Sequence, residues 1–246
     1  MARGASFLVE RCPTGIPGFD EMCNGGFVRN SVNAVLGGPG AGKTIFLLQF
    51  LYNGAIQFNE PGLYISFEPD IVETYKDAAV FGWDFQKLDS QDKCKFLRVS
   101  PQTDIAELKK DLTRLVSKYQ IKRVGLDPIS LFKVIEANPG KIRQMIYDIT
   151  ALLKRLNATV LLADETASGD TEEVGVASTD ARSQYVKFLV DGIVDIYSSG
   201  LGGISDRAVR IAKMRRSSHV RGPVPMQISD AGMTILYKKT AKGAVL

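Results

Sequence analysis

The chain has 246 residues, of which 45% are hydrophobic, and its formal net charge at pH 7 is +4. This length favours one α/β domain with a sizeable core and leaves too little chain for two full domains. The charge is smaller than that of a protein that coats DNA, no apolar run approaches the roughly 18 residues of a membrane span, and the N-terminus lacks a secretory signal, so we expect a cytoplasmic protein without a membrane segment. The cysteines Cys12, Cys23 and Cys94 stand singly, which favours packing roles over disulfides or a zinc site.

Short β-rich runs alternate with helix-like runs up to residue 163, which is the pattern of a parallel sheet flanked by helices. The helix predicted after the first strand, residues 43–58, is apolar nearly all round, so we expect it to lie between the sheet and other elements. The strands predicted in this part span residues 31–35, 63–66, 95–99, 123–126 and 159–163.

Two further helices carry clear start signals. Asp104 can cap the first of them, with Glu107 three residues later. Asn138, followed by Pro139, opens the second. Apolar residues recur at intervals of three and four in both, so one face of each helix should pack on the sheet.

The last part of the chain predicts a different architecture. Residues 167–179 are polar and small and should form a loop, and a short helix follows. Short turns then connect strands predicted at residues 192–197, 208–214, 224–228 and 233–237, which favours an antiparallel extension of the sheet. We therefore divide one domain, residues 1–246, into a lead-in (1–30), a core (31–190) and a C-terminal β extension (191–246).

Residues 37–44 match the pattern G-x-x-x-x-G-K-[ST] between a strand and a helix, which is the setting of a P-loop. In such a loop backbone N–H groups wrap phosphate oxygens, Lys43 reaches the β and γ phosphates and the Thr44 hydroxyl binds Mg²⁺. The sequence therefore predicts binding of ATP and Mg²⁺. The residues predicted to hold the nucleotide are Gly38, Pro39, Gly40, Ala41, Gly42, Lys43, Thr44 and Ile45.

Acidic residues follow three of the predicted strands. Asp127 ends one of them and is the predicted Mg²⁺ residue, although Asp before Pro128 also fits a capped turn. Glu68 follows a strand that we expect beside the P-loop strand, and it is the candidate base for the attacking water; the alternative is a solvated strand-end carboxylate. Asp164 and Glu165 reach the same sheet edge, where one of them could sense the γ-phosphate.

With these residues in place, the whole chain resembles the KaiC family of circadian-clock ATPases, and more closely its single-domain archaeal and bacterial relatives. Each matching segment is weak by itself, but their order and spacing are specific. The segments lie at residues 14–20, 25–26, 37–44, 49–54, 66–68, 81–84, 213–215 and 217–219.

The resemblance implies a RecA-like P-loop core that forms rings, usually hexamers, with ATP between neighbouring subunits. Lys213 and Arg215 would then reach the neighbour's γ-phosphate as a charge-stabilising finger. Being two residues apart, they should share one face of a strand. Further residues implied to contact the nucleotide from that same side are Ser217, His219, Ser229 and Asp230. The alternative is a solvated or nucleic-acid-binding basic edge formed by Arg207, Arg210, Lys213, Arg215, Arg216 and Arg221.

The chain also departs from the clock proteins. Pro69 follows Glu68 where the family has a second glutamate, which suggests slow turnover. Pro128 stands where a small hydroxyl residue is common, Arg216 replaces a usual glycine, and Val80 replaces a serine near the adenine pocket. Since the autophosphorylating second domain is also missing, we do not predict a circadian clock.

Three functions remain open at this point. The first is a ring-forming ATPase that hydrolyses ATP slowly and signals its nucleotide state to a protein partner. The second is a RecA-like or RadA-like recombination ATPase that binds single-stranded DNA, but residues 167–179 carry acidic side chains and no Lys, Arg or aromatic residue. The third is a scaffold that binds ATP without hydrolysing it, like the KaiC-like subunit of the archaeal motility motor.

Overall fold

The computed structural model describes residues 8–66, 70–100, 102–165, 187–200 and 206–238. Within these residues, a small hairpin precedes a sheet of nine strands. The hairpin consists of β1 (Arg11–Cys12) and β2 (Phe27–Val28). The large sheet contains β3 (Val32–Gly37), β4 (Gly62–Ser66), β5 (Cys94–Arg98), β6 (Arg123–Asp127), β7 (Thr159–Glu165), β8 (Gly192–Ser198), β9 (Arg207–Met214), β10 (Val224–Ser229) and β11 (Gly232–Ile235).

The main helices begin where the sequence predicts them. They are α2 (Lys43–Gln57), α5 (Ile105–Tyr119) and α7 (Pro139–Arg155). Asp104 accepts hydrogen bonds from the N–H groups of Ala106 (2.8 Å) and Glu107 (3.0 Å). Asn138 caps α7 in the same way. These side chains satisfy donors that the first helical turn leaves without a partner.

The shorter helices were not predicted. They are α1 (Phe19–Met22), α3 (Ile71–Ala79), α4 (Phe85–Ser90), α6 (Phe132–Ile135) and a 3₁₀ turn at Ile129–Leu131. Two of them had a usable signal, because Asp70 caps α3 and Asp84 caps α4. Their short apolar pattern is hard to distinguish from a loop.

The large sheet is ordered β11-β10-β9-β8-β3-β7-β6-β4-β5. Strands β3 to β8 run parallel, whereas β9, β10 and β11 are antiparallel, as the sequence predicts. The prediction that the strand before Glu68 lies beside the P-loop strand is wrong, because β7 and β6 separate β4 from β3. The crossover connections place β7 and β8 beside β3, although both come much later in the chain.

Alternating residues of the sheet face two separate hydrophobic cores. On one face, Val35 and Leu161 join the buried side of α2 and the N-terminal lead-in. On the other face, Leu36 and Leu162 join the apolar faces of α5 and α7. Helix α2 is buried on nearly every side, with Gln49 bonded to the backbone of Met233 in β11, which confirms that it is sandwiched.

A buried ion-pair cluster connects β6 to the N-terminal lead-in. Arg123 is fully buried, and its Nε donates to Glu60 Oε2 at 2.7 Å while its Nη1 donates to Phe50 O at 3.0 Å. The Arg29 guanidinium holds the other Glu60 oxygen at 2.7 Å. The Arg123 guanidinium also lies 4.6 Å from the ring centre of Phe50. We call Arg29, Glu60 and Arg123 the Arg123 cluster.

The three cysteines lie buried as free thiols. Burial raises the pKa of Cys12 to about 11 and that of Cys23 to about 12. Burial likewise raises the pKa of Cys94. Such thiols stay protonated and serve as packing groups. No helix in the described part of the chain is long and apolar enough to cross a membrane.

Candidate nucleotide-binding site

The P-loop connects β3 to α2 at the carboxyl edge of the parallel strands. Gly40 and Gly42 have φ angles of 71° and 110°, which residues with a Cβ rarely adopt. A Cβ built on Gly38 or Gly40 would meet no atom of a described residue within 4 Å, so the described part of the chain leaves space above these residues. Among the described residues, no side chain caps the N-terminus of α2. The loop therefore fits an anion at the positive end of the helix.

The Lys43 side chain is folded onto its own loop. Its ammonium donates to the carbonyl oxygens of Gly37 at 3.0 Å and Gly38 at 2.9 Å. Lys43 is only 8% exposed, so the charge lies close to the backbone of the loop. This position is compatible with the predicted contact to the phosphates.

Thr44 and Asp127 come together at the start of α2. The Thr44 hydroxyl donates to Asp127 Oδ2 at 2.6 Å, and the Tyr64 hydroxyl donates to the same oxygen at 3.1 Å. Burial raises the pKa of the Asp127 carboxyl, although both hydrogen bonds act in the opposite direction. A hydroxyl and a carboxylate are oxygen donors of the kind that Mg²⁺ prefers. The two residues therefore fit a magnesium site beside the phosphates.

Asp164 and Glu165 lie on the strand that is directly beside the P-loop strand. They are part of β7, in register with Leu36 and Gly37 of β3. Asp164 is buried and Glu165 is exposed. Their role as a γ-phosphate sensor stays a prediction. Glu68, the candidate base, lies outside the described residues, as does the loop predicted at residues 167–179.

Lys213 and Arg215 lie far from the P-loop of their own chain. The N–H of Arg215 donates to the carbonyl of Asp191, which immediately precedes β8. Gly37 of the P-loop lies level with Ile196 of β8, which is five residues after Asp191. Arg215 and Gly37 are therefore separated by about 16 Å along the strand direction. The Lys213 ammonium points away from the loop too, since it donates to Val190 O at 2.7 Å.

The expectation that Lys213 and Arg215 share one strand face is wrong, because β9 ends at Met214 and the alternation of side chains stops there. The two cations are nevertheless near each other. Burial and then the charge of Arg215 lower the pKa of Lys213. Phe188 is 69% exposed in the segment whose carbonyls hold Lys213, so apolar and cationic groups share this surface.

The N-terminal lead-in holds the segment that follows Arg215. Ser217 Oγ donates to the carbonyl of Cys23 at 3.2 Å, and the N–H of Val220 donates to the carbonyl of Met22 at 2.8 Å. The amide of Asn24 donates to Ser218 O at 3.0 Å. His219, between these anchors, hydrogen-bonds the carbonyl of Val220 through Nδ1. The lead-in therefore fixes the shape of this segment.

Ser229 and Asp230 lie at the opposite edge of the sheet from Ser217 and His219. Ser229 ends β10 and Asp230 follows it, and β10 runs parallel to β8 and reaches the edge of the P-loop. The preceding residue, Ile228, places its Cδ1 only 2.8 Å from a Cβ built on Gly42. The expectation that all four residues act from one side is therefore wrong within one chain, although each stays a predicted nucleotide contact.

The basic residues near the C-terminus do not form a single edge. Arg207 begins β9, and its Nη1 lies 4.0 Å from a Cβ built on Gly42, beside the P-loop. Arg215 follows the other end of β9. These cations are close together in the sequence, but β9, which is eight residues long, separates Arg207 from Arg215 in space.

Arg216 occupies a backbone conformation that favours glycine, with φ at 59°. We expect Arg216→Gly to raise the free energy of unfolding by about 0.5–1 kcal/mol, because it relieves the strain of a side chain in this region. Urea denaturation measures the change. Arg221→Gly is the matched control, since no positive φ is found there. Equal effects of the two substitutions would refute the explanation by strain.

A sequence model described as the ATPase KaiC matches residues 12–240. The chain belongs to the KaiC family of ATPases. It is 31% identical over 245 residues to the circadian clock oscillator protein KaiC of Prochlorococcus marinus subsp. pastoris, covering 96% of this chain and 47% of the relative. It is 33% identical over 237 residues to the KaiC of a Nostoc species, covering 92% of this chain and 44% of that protein.

The chain spans about half the length of the curated relatives it matches. A solved structure of similar length also matches: a KaiC-like protein of the hyperthermophilic archaeon Pyrococcus horikoshii has a TM-score of 0.80 and 27% identity, with 93% of this chain and 99% of that one covered. These similarities confirm the single-domain KaiC-like resemblance and the RecA-like fold.

Proposed function

We propose that this protein binds Mg-ATP at the P-loop and hydrolyses it slowly in a homo-oligomeric ring, usually hexameric in its family, whose nucleotide state is signalled to a partner protein. One observation carries the proposal. Each chain has the P-loop at one edge of the sheet and, at the other end, a cationic segment that is too far from its own P-loop to act there. In a ring of subunits, each interface brings the P-loop edge of one chain beside the cationic segment of its neighbour.

The roles of the residues follow from this arrangement. Backbone N–H groups of the loop and the start of α2 bind phosphate oxygens, and Lys43 turns from its carbonyls toward the phosphates. Thr44 and Asp127 hold Mg²⁺, which neutralises charge on the phosphates when it is bound. Glu68 acts as the base for the attacking water. Lys213 and Arg215 of the neighbouring subunit stabilise the charge that develops on the transferred phosphoryl group.

The test combines light scattering in ATP and in ADP with phosphate release measured with and without single-stranded DNA. We expect a ring in ATP, low turnover that DNA does not stimulate, and loss of turnover in Glu68→Gln. A protein that stays monomeric in ATP, and whose Glu68→Gln variant hydrolyses normally, would contradict the proposal. DNA-stimulated turnover would instead support the recombination function, and tight ATP binding without phosphate release would support the scaffold.

A further inference from the structure

Tyr64 is the buried residue at the proposed metal site that the sequence did not single out. It lies in β4, is 3% exposed, and donates its hydroxyl proton to Asp127 Oδ2 at 3.1 Å. A buried hydroxyl without a partner destabilises a fold, and here the Tyr64 hydroxyl is satisfied by the Asp127 carboxylate.

The sheet register explains how Tyr64 reaches Asp127. Tyr64 is level with Gly125 on the adjacent strand β6, and Asp127 is two residues further along. Residues two apart on a strand share a face, so Tyr64 is the diagonal neighbour of Asp127. Because residue 125 is glycine, no side chain fills the space between them; a Cβ there would lie 3.5 Å from the Tyr64 ring.

Aromatic packing fixes the position of the Tyr64 hydroxyl. The Tyr64 ring centre is 5.6 Å from that of Phe96 in β5. Phe96 in turn makes edge contacts with Tyr75 of α3 at 4.7 Å and with Phe85 of α4 at 5.5 Å. Because its ring is packed in this aromatic group, the Tyr64 hydroxyl oxygen keeps one position. The Asp127 carboxylate thus accepts hydrogen bonds from Tyr64 in the sheet and from Thr44 in the P-loop.

We infer that Tyr64 is a positioning residue that orients Asp127 for Mg²⁺, and this inference rests on the proposed function. Both donors use the same oxygen, Oδ2, and no described residue donates a hydrogen bond to Oδ1. In this inference, Oδ1 is the oxygen that serves the metal or its bound water. Partners that orient a metal-site residue typically change metal affinity by about 10- to 100-fold when they are removed.

The test compares Tyr64→Phe with the parent protein by fluorescence anisotropy of a labelled ADP, titrated with Mg²⁺ and repeated in EDTA. We expect the Mg²⁺ concentration for half-maximal binding to rise about tenfold. Affinity in EDTA should stay unchanged, because the P-loop contacts do not involve Tyr64. In steady-state assays at saturating Mg²⁺, kcat should fall while KM for ATP stays the same.

Tyr75→Phe is the matched control, because it removes a hydrogen bond of 2.9 Å to Asp89 from the same aromatic group, away from the P-loop. It should leave the Mg²⁺ titration unchanged. Equal Mg²⁺ dependence in Tyr64→Phe and the parent would overturn the inference, as would a loss of affinity that is equally large in EDTA. A parent protein that binds no nucleotide would instead refute the proposed function itself.

Discussion

Mixing two inactive variants, Lys43→Ala and Arg215→Ala, should restore ATP hydrolysis. Each variant alone should lose at least about a hundredfold in kcat, since one lacks the P-loop lysine and the other the charge-stabilising arginine. In a randomly mixed ring, half of the interfaces contain an intact P-loop and half of those face an intact Arg215, so activity should recover to about a quarter of the parent value. Phosphate release after subunit exchange in ADP measures this recovery.

The control for this experiment mixes Lys43→Ala with Asp127→Asn. Both substitutions damage the same half of the site, and neither variant can supply an intact P-loop edge to an interface. This mixture should stay inactive, although its subunits exchange in the same way. If Lys43→Ala and Arg215→Ala together stayed equally inactive, Arg215 would not act across the interface. The separation of about 16 Å between the level of Arg215 and the P-loop would then not reflect a role of Arg215 in the neighbouring subunit.

Local signals in the sequence predicted much of this fold. Asp104 and Asn138 start their helices as expected, because a side-chain cap is a short-range interaction. The P-loop is also a local motif, and Gly40 and Gly42 have the positive φ angles that glycine adopts easily. The main strands were found because buried parallel strands are continuously apolar.

Local sequence signals could not predict the order of the strands in the sheet. The strand before Glu68 was expected beside the P-loop strand, but the crossovers place β7 there. Tyr64 was missed for a related reason. Its contact with Asp127 depends on the register of two strands separated by more than fifty residues, which no local pattern encodes. Long-range pairing thus decides which residues complete the site.

Glu60→Gln should strongly lower the stability of the protein. The change keeps the shape of the side chain but removes the negative charge that faces two arginines, and it leaves the fully buried Arg123 without a counterion. Breaking a buried ion pair in this way lowers the free energy of unfolding by about 3–5 kcal/mol. Urea denaturation at pH 7 measures the loss, provided that the slope with urea is unchanged.

The matched control is Glu10→Gln, which removes an exposed carboxylate 3.8 Å from the same Arg29. Exposed pairs contribute about 0–1 kcal/mol, so this variant should unfold at nearly the parent midpoint. Similar losses in both variants would show that burial of the Arg123 cluster is not the cause.

The pH dependence of stability tests the same cluster independently. Burial alone would raise the pKa of Glu60, but attraction and hydrogen bonds from Arg123 and Arg29 outweigh it and lower the pKa below the ordinary value of 4.5. A lowered pKa in the folded state means that the carboxylate stabilises the protein above its unfolded pKa, and that this stabilisation is lost as the pH falls through the folded value. The difference in the free energy of unfolding between the parent and Glu60→Gln should therefore be largest near neutral pH. It should become smaller below about pH 4.5. A difference that stays constant from pH 7 to pH 4 would mean that Glu60 acts through packing and not through its charge.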